Sequence, residues 1–204
     1  MFSFSLISPP ATEPVTLDDA KAHAKIDSAS ENALVSSLIT AARQWAEQYT
    51  NRAFITQKWQ LALDYAPSTG GINLPRSPLQ SVESVMSYSN ADDANLWNAE
   101  NYFVDTLKEP GRITLRSGAT WPLPTRPANG LIITYIAGYG DDASTVPAPI
   151  KTAICQLVAH WLEHRGDAPT APSARNGATI APAAAVPLVI QSLLNPYRVR
   201  YAGA

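Results

Sequence analysis

Apolar residues recur at helical spacing near both ends of the chain and alternate with polar ones in between. Thr16-Leu17-Asp18-Asp19 reads as a helix start, with Thr16 placed to cap a free N–H and two aspartates beside the positive end of the dipole. A short helix is predicted from Leu17 to Ile26. Ser28-Ala29-Ser30-Glu31 then matches a capping box, and Leu34, Leu38, Ala41, Trp45 and Tyr49 follow on one helical stripe, widened by Val35, Ile39, Ala42 and Ala46. A face that wide predicts one side packed on the core and a flank packed on another subunit. Periodicity alone does not separate the two.

After Asn51 the period changes. Trp59, Leu61, Leu63 and Tyr65 alternate with Lys58, Gln60, Ala62 and Asp64, which predicts a strand. Further strands are predicted at Ile72 to Leu74, Val82 to Tyr88, Tyr102 to Asp105, Arg112 to Leu115 and Leu131 to Ile136, separated by Gly70-Gly71, Asn90 to Asn95 and Pro110-Gly111. The Trp121-Pro122-Leu123-Pro124 stretch is too proline-rich for a central strand, so Trp121 is expected to plug one end of the sheet. Helical spacing returns after Pro147 with Ile150, Ala153, Ile154, Leu157, Val158 and Trp161, and Gly166 is placed to stop that helix.

The predicted fold class is α+β: a helical bundle with an inserted small antiparallel β domain and an extended C-terminal arm ending in a short helix. The expected organisation is an extended N-terminal arm at 1–15, a bundle from 16–52 and 147–166, and a β domain at 53–146. A Pro/Ala-rich linker at 167–186 and a terminal helix and tail at 187–204 complete it. Pro187-Leu188-Val189-Ile190 leads to Leu193 and Leu194, and Asn195-Pro196 should end this last helix.

Charge and composition narrow the function. Fifteen Lys plus Arg against seventeen Asp plus Glu leave 204 residues at a formal net charge of -2, without the positive field of a non-specific duplex binder. Arg175, Arg198 and Arg200 nevertheless give residues 168–204 an excess of positive charge unopposed by any acid, suited to an acidic protein surface or a DNA passage. The single cysteine, Cys155, sits in an apolar run and reads as a buried thiol in a reducing compartment. The first basic residue is Lys21, which argues against a secretory signal, and a mean hydropathy of -0.09 agrees with a protein of the cytoplasm and no membrane partner.

Two motifs suggest chemistry and lack its context. His160-Trp161-Leu162-Glu163-His164 matches the H-x-x-E-H pattern of zinc hydrolases, but no Asp, Glu or His follows Asp167 to complete the ligand set. Last-turn histidines complementing the helix dipole are the plainer reading. Tyr139-Gly140-Asp141-Asp142 copies the metal-binding tetrapeptide of template-directed polymerases, yet it ends a strand in a chain too short for such an enzyme, so a turn with solvated carboxylates is expected. No catalytic residue and no cofactor is assigned. A ligand-binding β module that presents Trp97, Tyr102 and Trp121 stays open as an alternative function, with the zinc hydrolase behind it.

Four ordered segments carry a family resemblance: Val15 to His23, Ala41 to Arg52, Ile133 to Gly140 and Val146 to Ile154, with a looser terminal match from Leu193 to Arg198. Together they resemble the phage head-tail connector (adaptor) proteins of the gp6-like group, in the branch named after gp8 of phage phiE125. The resemblance implies a non-enzymatic adaptor that forms a ring, twelve-fold by that likeness, beneath the portal of a phage or gene transfer agent. It implies that the ring extends the DNA channel, lets DNA pass without specific binding and docks the next stopper or tail protein. By the same likeness the protein resides in the virion neck after assembly in the host cytoplasm. It also makes Leu193, Leu194, Tyr197, Arg198, Arg200 and Tyr201 the candidates for portal contact.

Overall fold

The computed structural model of the chain describes residues 2–67, 70–124, 126–164 and 186–200. It is an α+β fold of helices and antiparallel sheet, with a short C-terminal helix. The chain forms two compact units, one from residues 13–50 and 146–198 and the other from residues 1–12, 51–145 and 199–204. The linker expected at 167–186 falls, apart from its last residue, outside the described residues, as do Gly166, Arg175 and Tyr201.

The first unit is helical, with α1 (Leu17–Ala24), α2 (Asn32–Thr50), α3 (Ala148–Glu163) and α4 (Leu188–Leu194). Thr16 caps α1 as its sequence requires: its Oγ1 accepts from the Asp19 N–H at 3.1 Å and donates to the Asp19 carboxylate at 2.7 Å. The helix stops short of Ile26 because Lys25 turns left-handed, at φ 54°, and the Ile26 N–H closes back on the Lys21 carbonyl at 3.0 Å. Ser28 caps a separate 3-10 turn, Ala29–Glu31, through the Ser30 N–H at 3.3 Å, and α2 begins only at Asn32. The core joins Val35, Ile39 and Ala46 of α2 to Ile150, Ile154, Leu157 and Val158 of α3, with Ile190 and Leu194 of α4 added. Each fully buried Ile or Leu contributes roughly 1.5–3 kcal/mol.

The second unit contains β1 (Phe2–Ser8), β2 (Gln57–Leu63), β3 (Ile72–Asn73), β4 (Leu79–Tyr88), β5 (Ala94–Leu96), β6 (Tyr102–Asp105), β7 (Arg112–Leu115) and β8 (Leu131–Ala137). One antiparallel sheet has the order β1-β2-β8-β4-β5 and the other the order β3-β7-β6. Trp59, Leu61, Val85, Leu131, Ile133 and Tyr135 of the larger sheet share one apolar core with Ile72, Tyr102 and Ile113 of the smaller. β8 is central and alternates buried with half-buried positions along its whole length, as its sequence pattern dictates.

Two strands depart from expectation. Phe2–Ser8 pairs with β2 in the register Phe2↔Leu63, Phe4↔Leu61 and Leu6↔Trp59, so this segment is an edge strand. β5 forms inside the stretch read as a turn, because the reversal itself needs only Ser89 to Asp93, with Asp92 left-handed at φ 63°.

Candidate interaction surfaces

The zinc-hydrolase reading finds no third ligand among the described residues. The His160 and His164 rings lie one turn apart, tilted at 44° with centroids 4.4 Å apart, His164 Nδ1 lies 2.8 Å from the His160 carbonyl oxygen, and Glu163 is exposed. Among the described residues no three His, Cys, Asp or Glu side chains are grouped to hold a metal ion. Asp141 and Asp142 are exposed in a turn, where the Asp142 carbonyl accepts from the N–H and the hydroxyl of Thr145. The aromatic trio also differs from the presentation that a ligand-binding β module needs. Trp97 stacks on Tyr102 and leans on Trp121, both at 5.1 Å between centroids, and Tyr102 and Trp121 are buried. Burial withdraws Tyr102 and Trp121 from the surface, and Trp97 is half-buried against them.

Helix α2 reverses the usual helix plan. It carries two charged residues, Arg43 and Glu47, and both are buried. Arg43 Nε donates to Glu13 Oε2 at 2.7 Å and Nη1 donates to Glu47 Oε2 at 2.8 Å, while Thr40 donates to Glu13 Oε1 at 2.9 Å. Burial alone would lower the Arg43 pKa, but the Glu13 hydrogen bond and the Glu47 and Glu13 charges outweigh it and hold the guanidinium above its ordinary value. The core-facing stripe is Val35, Ile39, Ala42, Arg43, Ala46, Glu47 and Thr50. The stripe that reads most strongly in the sequence points elsewhere: Leu34 and Ala41 are exposed, and Leu38, Trp45 and Tyr49 are half-buried.

The C-terminal segment packs on this same unit. Leu194 is completely buried, Leu193 and Tyr197 are half-buried, and Arg198 and Arg200 are exposed. The Tyr49 hydroxyl donates to Asn195 Oδ1 at 2.7 Å, and the Arg198 guanidinium lies over the Tyr49 ring at 5.1 Å. Tyr49 in turn stacks on Trp45, with centroids 5.1 Å apart. Leu188 and Val189, at the start of α4, are 81% and 58% exposed.

The Ala41 to Arg52 segment holds structural roles that a search for chemistry passes over. Asn51 leaves α2 in the left-handed region, at φ 57°, and its side chain donates to the Val199 carbonyl at 3.0 Å. Arg52 makes a two-pronged pair with Glu109 and lies over the Tyr139 ring.

No described helix is long and apolar enough to cross a membrane. No curated protein matches the chain. Several solved structures share its fold. The chain is similar to one in the virion of a native gene transfer agent particle, with 21% identity and a TM-score of 0.75 over 98% of both chains. It is similar to one in the neck of an empty gene transfer agent particle computed with C6 symmetry, with 20% identity and a TM-score of 0.78 over 99% of this chain and 98% of that one. A third likeness is to a chain in the neck of the native particle computed with C12 symmetry, with 22% identity and a TM-score of 0.68 over 100% and 98%. Residues 13–200 match the family described as Head completion protein, and a match over that span means that the chain belongs to the head completion protein family.

Proposed function

We propose that this chain is a structural head-tail connector of a phage or gene transfer agent, without catalytic activity. It forms a ring beneath the portal, continues the DNA channel and offers its far side to the next stopper or tail component. The observation that carries this reading is family membership over residues 13–200, supported by a fold shared end to end with chains of gene transfer agent necks. Its site of action on this reading is the virion neck.

The portal contact is assigned to the terminal segment: Leu193, Tyr197, Arg198, Arg200 and Tyr201 as contact side chains, with Leu194 as their buried anchor. The test is the mass of the purified chain, alone and mixed with its portal protein, by light scattering. Deleting 187–204 would also remove Ile190 and Leu194 from the helical core, so exposed-residue variants read the contact more cleanly. Arg200→Glu, which leaves the Arg198–Tyr49 contact in place, should leave melting unchanged and weaken the portal complex at least tenfold. Absence of any complex with the intact chain across salt concentrations would overturn the connector reading.

A further inference from the structure

We propose that the outward stripe of α2, formed by Leu34, Leu38, Ala41 and Trp45, is the surface through which one copy of this chain binds the next. This inference rests on the ring reading above and names the surface that closes the ring.

Three observations lead there. First, a solvent-facing helix places its charges outward and its apolar residues inward. Helix α2 is 19 residues long and does the reverse with its charges: Arg43 and Glu47 are buried, and its exposed side is left with Leu34, Ala41, serines and glutamines. No charge on α2 opposes desolvation of that side. Second, Leu34, Leu38, Ala41 and Trp45 are spaced by four, three and four residues, the a/d spacing of a seam that receives side chains from a neighbouring helical surface. Ser37, Gln44 and Gln48 border the seam with neutral hydrogen-bonding groups that tolerate a close partner.

Third, the chain itself supplies a counterpart. A ring contact is heterologous, so it needs two different patches on every copy. In the helical unit the exposed large apolar side chains among the described residues are Leu34, on the α2 stripe, and Leu188 and Val189, at the start of α4. The two patches lie on separate helices and neither carries a charge, so identical, mildly acidic copies can meet there without repulsion. A partner of different chemistry, such as nucleic acid, would want basic groups on this face, and α2 offers none.

The test is photo-cross-linking in assembled particles that contain the full-length chain, with p-benzoylphenylalanine in place of Gln44 at the border of the seam. The expected product is an adduct of two copies of this chain, identified by mass spectrometry. Ala41→Glu should reduce chain-chain adducts and incorporation into particles at least tenfold. The same change should leave the melting temperature of the purified protein within about 2 °C, since Ala41 is exposed and Glu suits a helix. Ala22→Glu, on the exposed side of α1, is the matched control and should incorporate normally. An adduct with a different protein, no adduct from particles that contain the chain, or normal assembly of Ala41→Glu would each overturn the inference. Absence of the chain from purified particles would instead overturn the connector reading on which it rests.

Discussion

Arg43 holds one positive charge between the part-exposed Glu13 and the buried Glu47, and its removal would take that charge away from a carboxylate held in the core. Breaking a buried ion pair from one side costs about 3–5 kcal/mol. Arg43→Met should therefore lose close to that amount in urea denaturation, whereas Arg43→Met with Glu47→Leu should recover much of it. Cys155 gives a second check: burial first, and the nearby negative charge of Asp19 next, push its thiol above the ordinary value. A chromogenic aromatic disulfide such as Ellman's reagent should detect no reactive thiol in the native protein at pH 8 and one per chain after unfolding. Gly138 is fixed by geometry, with φ at 142°, and a Cβ added there would lie only 2.6 Å from the Ile55 carbonyl oxygen. Gly138→Ala should lower stability by roughly 1–3 kcal/mol in the same urea assay. Burial of Cys155 was legible in the sequence from its apolar neighbours. The charged core of α2 was not, because hydrophobic periodicity scores Arg43 and Glu47 as outward-facing and only tertiary packing brings Glu13 to them.

At the scale of elements, β6 and β7 are clasped at the register pair Asp105↔Arg112, where Arg112 Nε donates to Asp105 Oδ2 at 3.0 Å. That hydrogen bond, joined by the Lys108 and Leu107 N–H groups, holds the Asp105 carboxyl below the usual carboxylate range. A depressed carboxyl adds stability above its unfolded value, near 3.9, and the contribution disappears as pH falls through the lower folded value. Asp105→Asn should consequently melt below the parent at pH 7, and the difference in melting temperature should shrink and vanish as pH falls through the depressed folded value of the carboxyl. The ranges of β6 and β7 follow directly from alternation and flanking turn residues. Helix α2 shows where such reading stops. Its sequence carries two apolar stripes, and the deeper one holds Val35, Ile39, Ala42 and Ala46, which the sequence ranks as the flank. Both stripes score alike on a wheel, and only the packing of α3 and α4 decides between them. Phe2–Ser8 escaped for another reason: its partner β2 is remote in sequence, and no local pattern announces a long-range pairing.

At the scale of the molecule, the α+β class and the short terminal helix were legible because each element carries its own period and its own stop signal. The docking of α4 was not, since Ile190 and Leu194 look like the face of an isolated arm until the surface beneath them is known. The pairing of β1 with β2 also has a consequence for biosynthesis. The ribosome releases Phe2–Ser8 well before Leu63, and at 5–20 residues per second the interval of about 55 residues lasts roughly 3–11 s. During that time a charge-free, proline-free strand with Phe2, Phe4, Leu6 and Ile7 has no template to join, while the helices between it and β2 are still emerging. Nascent chains of this protein therefore pass through a window in which chaperone capture competes with self-association. Slower initiation or lower growth temperature should raise the soluble yield more than any change to the finished surface.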